Sequence, residues 1–186
     1  MMESAKIKSL INIYPGVSPE GPTVIRSAPG LSPITASELK FRGLIHRKNK
    51  PLTIRQRNHD LIFLPKNNNL LDAPLLHTAE EVHYCLLFGR YKISDSQLDR
   101  LSRVLIIQKK PFRVIITADG KHFARQDLSR FLNRRLQEFG VPINEDVRDV
   151  LWVFCIDESY YICLTAYTQA TPLFRNQRVE ERTGSL

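Results

Sequence analysis

The chain has 186 residues, 42% hydrophobic and 25% charged, with 27 Lys+Arg against 19 Asp+Glu for a net charge of +8. This is globular composition, enough for one large domain or two small ones. The basic excess points to polyanions, nucleic acid first among them, though it also serves plain solubility. No apolar run nears the ~20 residues of a membrane span, and residues 1–10 hold no apolar secretion core.

Residues 1–22, with YPGVSPEGP, read as a leader whose KIKSLINIY stretch could add a short strand or helix. Thr23–Ala28 is the first strand. Ser32 is placed to cap a helix over about Ile34–Arg42, with Pro33 at its first position and Gly43 closing it. Leu52–Arg57 and Asp60–Leu64 read as strands around an Asn58-His59 turn. Residues 23–69 thus form a β-α-β-β domain, its sheet covered on one side by one helix, and Pro65–Asn69 is the expected boundary.

Beyond it, Val82, Cys85 and Leu86 give a helical stripe over His77–Gly89, with Thr78 as its cap. A second helix starts at Ser94, with Gln97 at capping-box spacing, and runs to about Leu105. Phe112–Ala118 is a strand and Asp119-Gly120 a turn. A helix over Ala124–Phe139 follows, its apolar face Leu128, Phe131, Leu132, Leu136 and Phe139, closed by Gly140 and Pro142. Asp149–Ile156 and Tyr160–Ala166 form a hairpin turning at Asp157-Glu158-Ser159, with Trp152, Phe154, Tyr160 and Tyr161 as its core or interface. The last fifteen residues read as a polar linker or tail.

Cys85, Cys155 and Cys163 have no CxxC spacing and sit in apolar contexts, so buried free thiols are expected. Cys155 and Cys163 would face each other if the hairpin brings them together, but a reducing cytoplasm argues against a disulfide. The five histidines make no zinc spacing with them.

The segments FRVIITADGKHFARQDLSRFLNRRLQEFG and VRDVLWVFCIDESYYICLTA, in the element order helix, helix, strand, basic helix, strand, strand, resemble the THUMP domain of RNA-modification enzymes. The place of that family's proline-acidic segment is taken here by VPINEDVRD. RSAPGLSPITASELKFRG is similar to the ferredoxin-like domain preceding THUMP in methyltransferases, through Pro29-Gly30-Leu31, Glu38-Leu39 and Gly43, with Ser32 where an acidic residue is usual. FRNQRVEERTGSL resembles the arginine-rich stretch ahead of the catalytic domain. The resemblance covers residues 23–186. It implies an α+β chain with a ferredoxin-like domain at 23–69, an α/β THUMP domain at 70–170 and a linker at 171–186.

No catalytic motif accompanies these segments. A class I methyltransferase needs a glycine-rich loop after its first strand, and ADGKH holds one glycine. There is no [DN]PP[YF], Walker, GxSxG or HExxH pattern. S-adenosylmethionine is therefore expected only on a catalytic domain outside this chain. The neighbours His59/Asp60 and Asp119/His122 read as turn residues rather than acid–base pairs.

Cations concentrate in two places. Lys121, Arg125, Arg130, Arg134 and Arg135 lie on or before the basic helix, with Arg130 and Arg134 sharing a face. Lys109, Lys110 and Arg113 extend this patch. The resemblance implies that this surface grips RNA, tRNA by expectation, as a ruler that positions a distant base. The bland alternative is a solvated helix face. Phe123 and Tyr91 could stack a base, though apolar packing is the stronger expectation. The second patch, Arg42, His46, Arg47, Lys48, Lys50, Arg55 and Arg57, clusters on a loop and strand, and its loop part reads mainly as an edge guarded against strand pairing, with RNA contact the lesser reading. Three functions fit: the RNA-recognition part of a guanosine methyltransferase, a stand-alone RNA-binding accessory that serves a separate catalytic subunit, or a protein-interaction module sharing only the fold.

Overall fold

In the computed structural model, the stretch expected as a helix over His77–Gly89 is the longest strand among the described residues. The structure describes residues 14, 16–48, 50–56, 59–65, 76–118 and 122–168. The elements in chain order are β1 (Thr23–Ser27), α1 (Ser32–Phe41), β2 (Leu52–Arg55), β3 (Asp60–Leu64), β4 (Ala79–Arg90), α2 (Asp95–Ile106), β5 (Arg113–Ala118), α3 (Arg125–Glu138), β6 (Val150–Ile156) and β7 (Ser159–Thr168). One mixed sheet orders the strands β2-β3-β1-β4-β7-β6-β5. Every pairing is antiparallel except β5 with β6, which α3 connects.

The error at β4 has a physical cause. A strand buried on both faces loses its period of two and reads as an apolar run. Here His83 and Cys85 are buried on one face while Val82, Tyr84 and Leu87 are buried in the other core. A register shift between Cys85 and Leu87 adds an irregularity, and Leu86 joins Leu87 in the same core. The spacing of Val82, Cys85 and Leu86 that suggests a helix mixes the two faces, Val82 and Leu86 from one core and Cys85 from the other. The order after residue 76 is therefore strand, helix, strand, helix, strand, strand, with one helix where two were expected.

Thr78 caps nothing. Its N–H and hydroxyl donate to Glu38 Oε2 at 3.1 and 2.7 Å, and the His77 N–H donates to Glu38 Oε1 at 2.9 Å. Arg42 closes on the same carboxylate at 2.8 Å. Burial pulls the Glu38 carboxyl up, but the hydrogen bonds from His77 and Thr78 and the Arg42 charge outweigh it and hold the group below its usual range.

The β-α-β-β order of residues 23–64 is present, but its sheet continues into the rest of the chain, because β1 pairs with β3 on one side and β4 on the other. The expected boundary at 65–69 lies almost wholly outside the described residues, as do most of the leader, the Asp119-Gly120 turn and the tail from 169. At α1, Leu31 rather than Ser32 occupies the cap position and makes no side-chain bond. Instead the buried Asp60 of β3 accepts from the Gly30 and Ser32 N–H groups at 3.1 and 3.4 Å, placing a carboxylate at the positive end of the helix. Gly43 and Gly140 end α1 and α3 with positive φ, +70° and +87°. The Ser94–Gln97 capping box forms as expected.

The helices pack into one core, through Leu39, Leu98, Leu101, Leu105, Leu132 and Leu136. A separate cluster, Val24, Leu61, Phe63, Cys85, Phe154 and Cys163, fills the opposite side. There Phe63 of β3 meets Tyr161 of β7 with ring centroids 4.9 Å apart. Three strand spacings of a flat sheet amount to about 14 Å, so the sheet curls and its side chains meet across a trough. Cys155 and Cys163 fall on opposite faces, because the hairpin register pairs Cys155 with Tyr160 and Cys163 with Trp152. Cys163 stands beside Cys85 of β4 instead, and burial together with that thiol pushes it well above its usual range. All three cysteines are buried and outside any disulfide.

Candidate nucleic-acid interface

α3 is amphipathic because Leu132 and Leu136, four residues apart, are fully buried while the arginines lie elsewhere on its surface. Arg130 and Arg134 share an outward stripe, with side chains 77% and 72% exposed. Arg125 is also exposed. Arg130 and Arg134 have company. Arg130 lies 3.7 Å from Asp127, and Arg134 lies 3.5 Å from Glu138. Arg135 turns aside to Asp95 at the start of α2, at 2.7 Å, and also contacts Glu138.

The extension of this patch divides. Lys110 is a brace: its Nζ donates to Asp149 Oδ1 at 2.7 Å and sits 4.4 Å over the Tyr14 ring. Tyr14 donates to the same carboxylate oxygen, and burial first, then Asp149, raises its hydroxyl pKa. Lys109 and Arg113 are exposed. Lys121 lies outside the described residues.

A groove of about 500 Å³ separates α3 from the start of α2, lined by Lys92, Ile93, Ser94, Asp95, Phe131, Arg134 and Arg135. Lys92 escaped the sequence reading. Its signal is its place two residues before the capping Ser94, where the chain turns toward the helix-bearing side. Tyr91, expected to pack, is instead 66% exposed, with φ +59°. Its amide is held by the Glu158 carbonyl of the hairpin turn at 2.7 Å, which keeps the residue outside the core. Phe123 is buried against Tyr160, as expected.

In the second patch, Arg42 is folded onto Glu38 and largely withdrawn. His46, Arg47, Lys48, Lys50 and Arg55 are exposed, and Arg57 lies outside the described residues. A groove of about 420 Å³ runs between α1 and β2, lined by Ser32, Pro33, Ala36, Lys40, Lys50, Pro51, Thr53 and Arg55. Lys40 was missed as well. The four-residue spacing of Ser32, Ala36 and Lys40 would have placed it on one helix face.

A polar cluster lies within the trough. Arg26 pairs with Glu80 and Glu81 at 3.5 and 3.3 Å and sits 5.0 Å over the Trp152 ring. The fully buried His83 stands 3.2 Å from Thr165 and 3.2 Å from Glu81, the latter out of line for a hydrogen bond. Burial lowers the His83 pKa, against the opposing pull of Glu81. No group of His, Cys, Asp and Glu among the described residues is arranged to hold a metal ion. Asp60 is committed to the start of α1, so the His59/Asp60 neighbours form no acid–base pair. No described helix is long and apolar enough to cross a membrane.

No family model and no curated protein matches the chain. Solved structures do. TrmN from Thermus thermophilus matches with TM-score 0.50 and 17% identity, over 77% of this chain and 45% of that one. PH1313 from Pyrococcus horikoshii matches with TM-score 0.51 and 10% identity, over 77% and 54%. A 4-thiouridine synthetase solved with RNA and bound ATP matches with TM-score 0.50 and 16% identity, over 78% and 41%. The chain spans about half the length of these structures or less, and at such identities the likeness is one of fold.

Proposed function

We propose that this chain is the RNA-binding part of a THUMP-type RNA-modification enzyme. In this reading a ferredoxin-like unit (23–69), a THUMP unit (70–170) and a linker (171–186) hold RNA, tRNA by expectation, for guanosine methylation by a catalytic domain elsewhere. The carrying observation is that two grooves on the helix-bearing side are lined by Lys and Arg. The fold shared with a synthetase solved in an RNA complex adds support.

The residues suit the phosphate chain rather than the bases. Exposed ion pairs such as Arg130–Asp127 are worth about 0–1 kcal/mol, so a phosphate displaces the carboxylate at small cost and releases counterions as it docks. The α1–β2 groove is lined by no aromatic ring and the groove between α2 and α3 by one, Phe131, so neither offers the stacked platform of an RRM, and the exposed rings of Phe41, Phe88 and Tyr91 lie outside both linings. The chain therefore acts as a positioning device, with sequence left unread.

These residues do not fit S-adenosylmethionine. The β5-α3-β6 crossover is the place for a nucleotide-type cofactor, yet β5 is followed by ADGKH with one glycine, and β6 runs directly into the hairpin turn. The reading assigns the cofactor to a catalytic domain or a separate subunit, and sequencing past codon 186 separates these two arrangements.

The test is a filter-binding titration with a tRNA transcript across salt concentrations. Arg130→Glu with Arg134→Glu should weaken binding roughly tenfold and flatten the salt dependence. Wild-type binding that is absent or indifferent to salt would reject the RNA reading and favour a protein-interaction module.

A further inference from the structure

We propose that the groove between α1 and β2 is a phosphate-binding site that contributes more to polyanion affinity than the α3 arginines do. This rests on the RNA reading above and changes where the grip lies. Between residues 40 and 57 there are seven Lys and Arg, and no Asp or Glu occurs between residues 39 and 59. The groove they border is lined by Lys40, Lys50 and Arg55 with the residues Ser32 and Thr53, and by no carboxylate. Among the described residues, Lys40, Arg47, Lys48, Lys50 and Arg55 enter no ion pair.

The contrast with α3 decides the ranking. Three of the four α3 arginines, Arg130, Arg134 and Arg135, have a carboxylate partner in Asp127, Glu138 and Asp95, as does the neighbouring Lys110 in Asp149, while the exposed Arg125 enters no ion pair among the described residues. A phosphate arriving there must displace an anion already present, and the nearby acids repel it. A phosphate arriving at the α1–β2 groove meets unpaired cations. Counterions released per contact are the source of salt-dependent affinity, and a cation neutralised within the protein has fewer to release.

Guarding of a sheet edge does not account for the arrangement. That role needs charges on β2 itself, whereas Lys40 projects from α1 into the same groove as Arg55. The amino end of α1 is not the anion site either, since the Asp60 carboxylate already takes the Gly30 and Ser32 N–H groups. The groove works through side chains.

The experiment uses the whole 186-residue chain and a fluorescein-labelled tRNA transcript, with anisotropy read at several potassium chloride concentrations. The triple variant Lys40→Gln, Lys50→Gln, Arg55→Gln is compared with Arg130→Gln, Arg134→Gln. Circular dichroism checks that each is folded. The triple variant should lose affinity about tenfold or more, and the slope of log K against log salt should fall by roughly two. The double variant should lose about threefold. A charge-preserving variant, Lys40→Arg, Lys50→Arg, Arg55→Lys, should keep the wild-type slope. Equal losses, or a larger loss in the double variant, overturn this proposal while leaving RNA binding intact. Wild-type chain that ignores RNA overturns both. Polyglutamate binding the groove in preference to the transcript overturns it in favour of an acidic protein partner.

Discussion

Replacing Glu38 by alanine tests how α1 is tied to the start of β4. The carboxylate accepts from the His77 N–H at 2.9 Å, the Thr78 N–H at 3.1 Å and the Thr78 hydroxyl at 2.7 Å, and its side chain is 12% exposed. Hydrogen bonds to a charged group are worth about 1.5–3 kcal/mol each, but three on one acceptor do not add fully. The exposed alternatives of the His77 amide reduce the sum further. A loss of about 3 kcal/mol follows, which for a chain of this size is roughly 6–12 °C in Tm. Scanning calorimetry at pH 7 measures it. The pH dependence supplies a control. The folded-state carboxyl is held below its unfolded value, so its contribution is fully present above the unfolded pKa, ~4.3, and is lost as pH falls through the folded pKa. The difference between wild type and Glu38→Ala should therefore shrink below about pH 4. A difference under about 0.5 kcal/mol at pH 7, or one that persists unchanged at pH 3, would refute the assigned network.

Two further outcomes follow from other contacts. Gly89→Ala would place a methyl group against the buried Tyr160 ring, 2.7 Å from Cζ and closer still to the hydroxyl, and should cost about 2–3 kcal/mol in a urea melt; an unchanged midpoint would mean the ring moves freely. His83 is held neutral by burial, facing Arg26, Glu81, Thr165 and Trp152, with His59 near the same charges. Because its folded pKa is lowered, the unfolded chain takes up the proton first as pH drops below ~6.5, and stability falls from there. His83→Gln should flatten the stability profile between about pH 6.5 and 5, and a profile as steep as wild type would place the titrating group elsewhere.

The elements legible in the sequence are those whose evidence is local. Ser94 and Gln97 are three residues apart and form their capping box without help from the rest of the chain. Gly43 and Gly140 mark helix ends because their own backbone angles demand it. The apolar face of α3 follows from the spacing of Leu132 and Leu136. β4 was not legible, since its identity depends on β1 and β7 lying on either side and on a bulge that erases alternation. The same limit applies to the basic patches: their cations are plain in the sequence, but their partners are not. Asp95 lies forty residues before Arg135, and Asp149 thirty-nine after Lys110.

What the sequence settles alone is the set of short-range facts: a basic α+β chain, the capping box of α2, its hairpin, and the acid-free stretch from residue 40 to 58. Tertiary structure alone decides which apolar run becomes the central strand, which thiols become neighbours, and which cations remain free for an anion. The reason is range. Backbone angles and helix periodicity are decided within a few residues, whereas burial on two faces and the pairing of distant charges exist only once the sheet has curled and brought remote segments together.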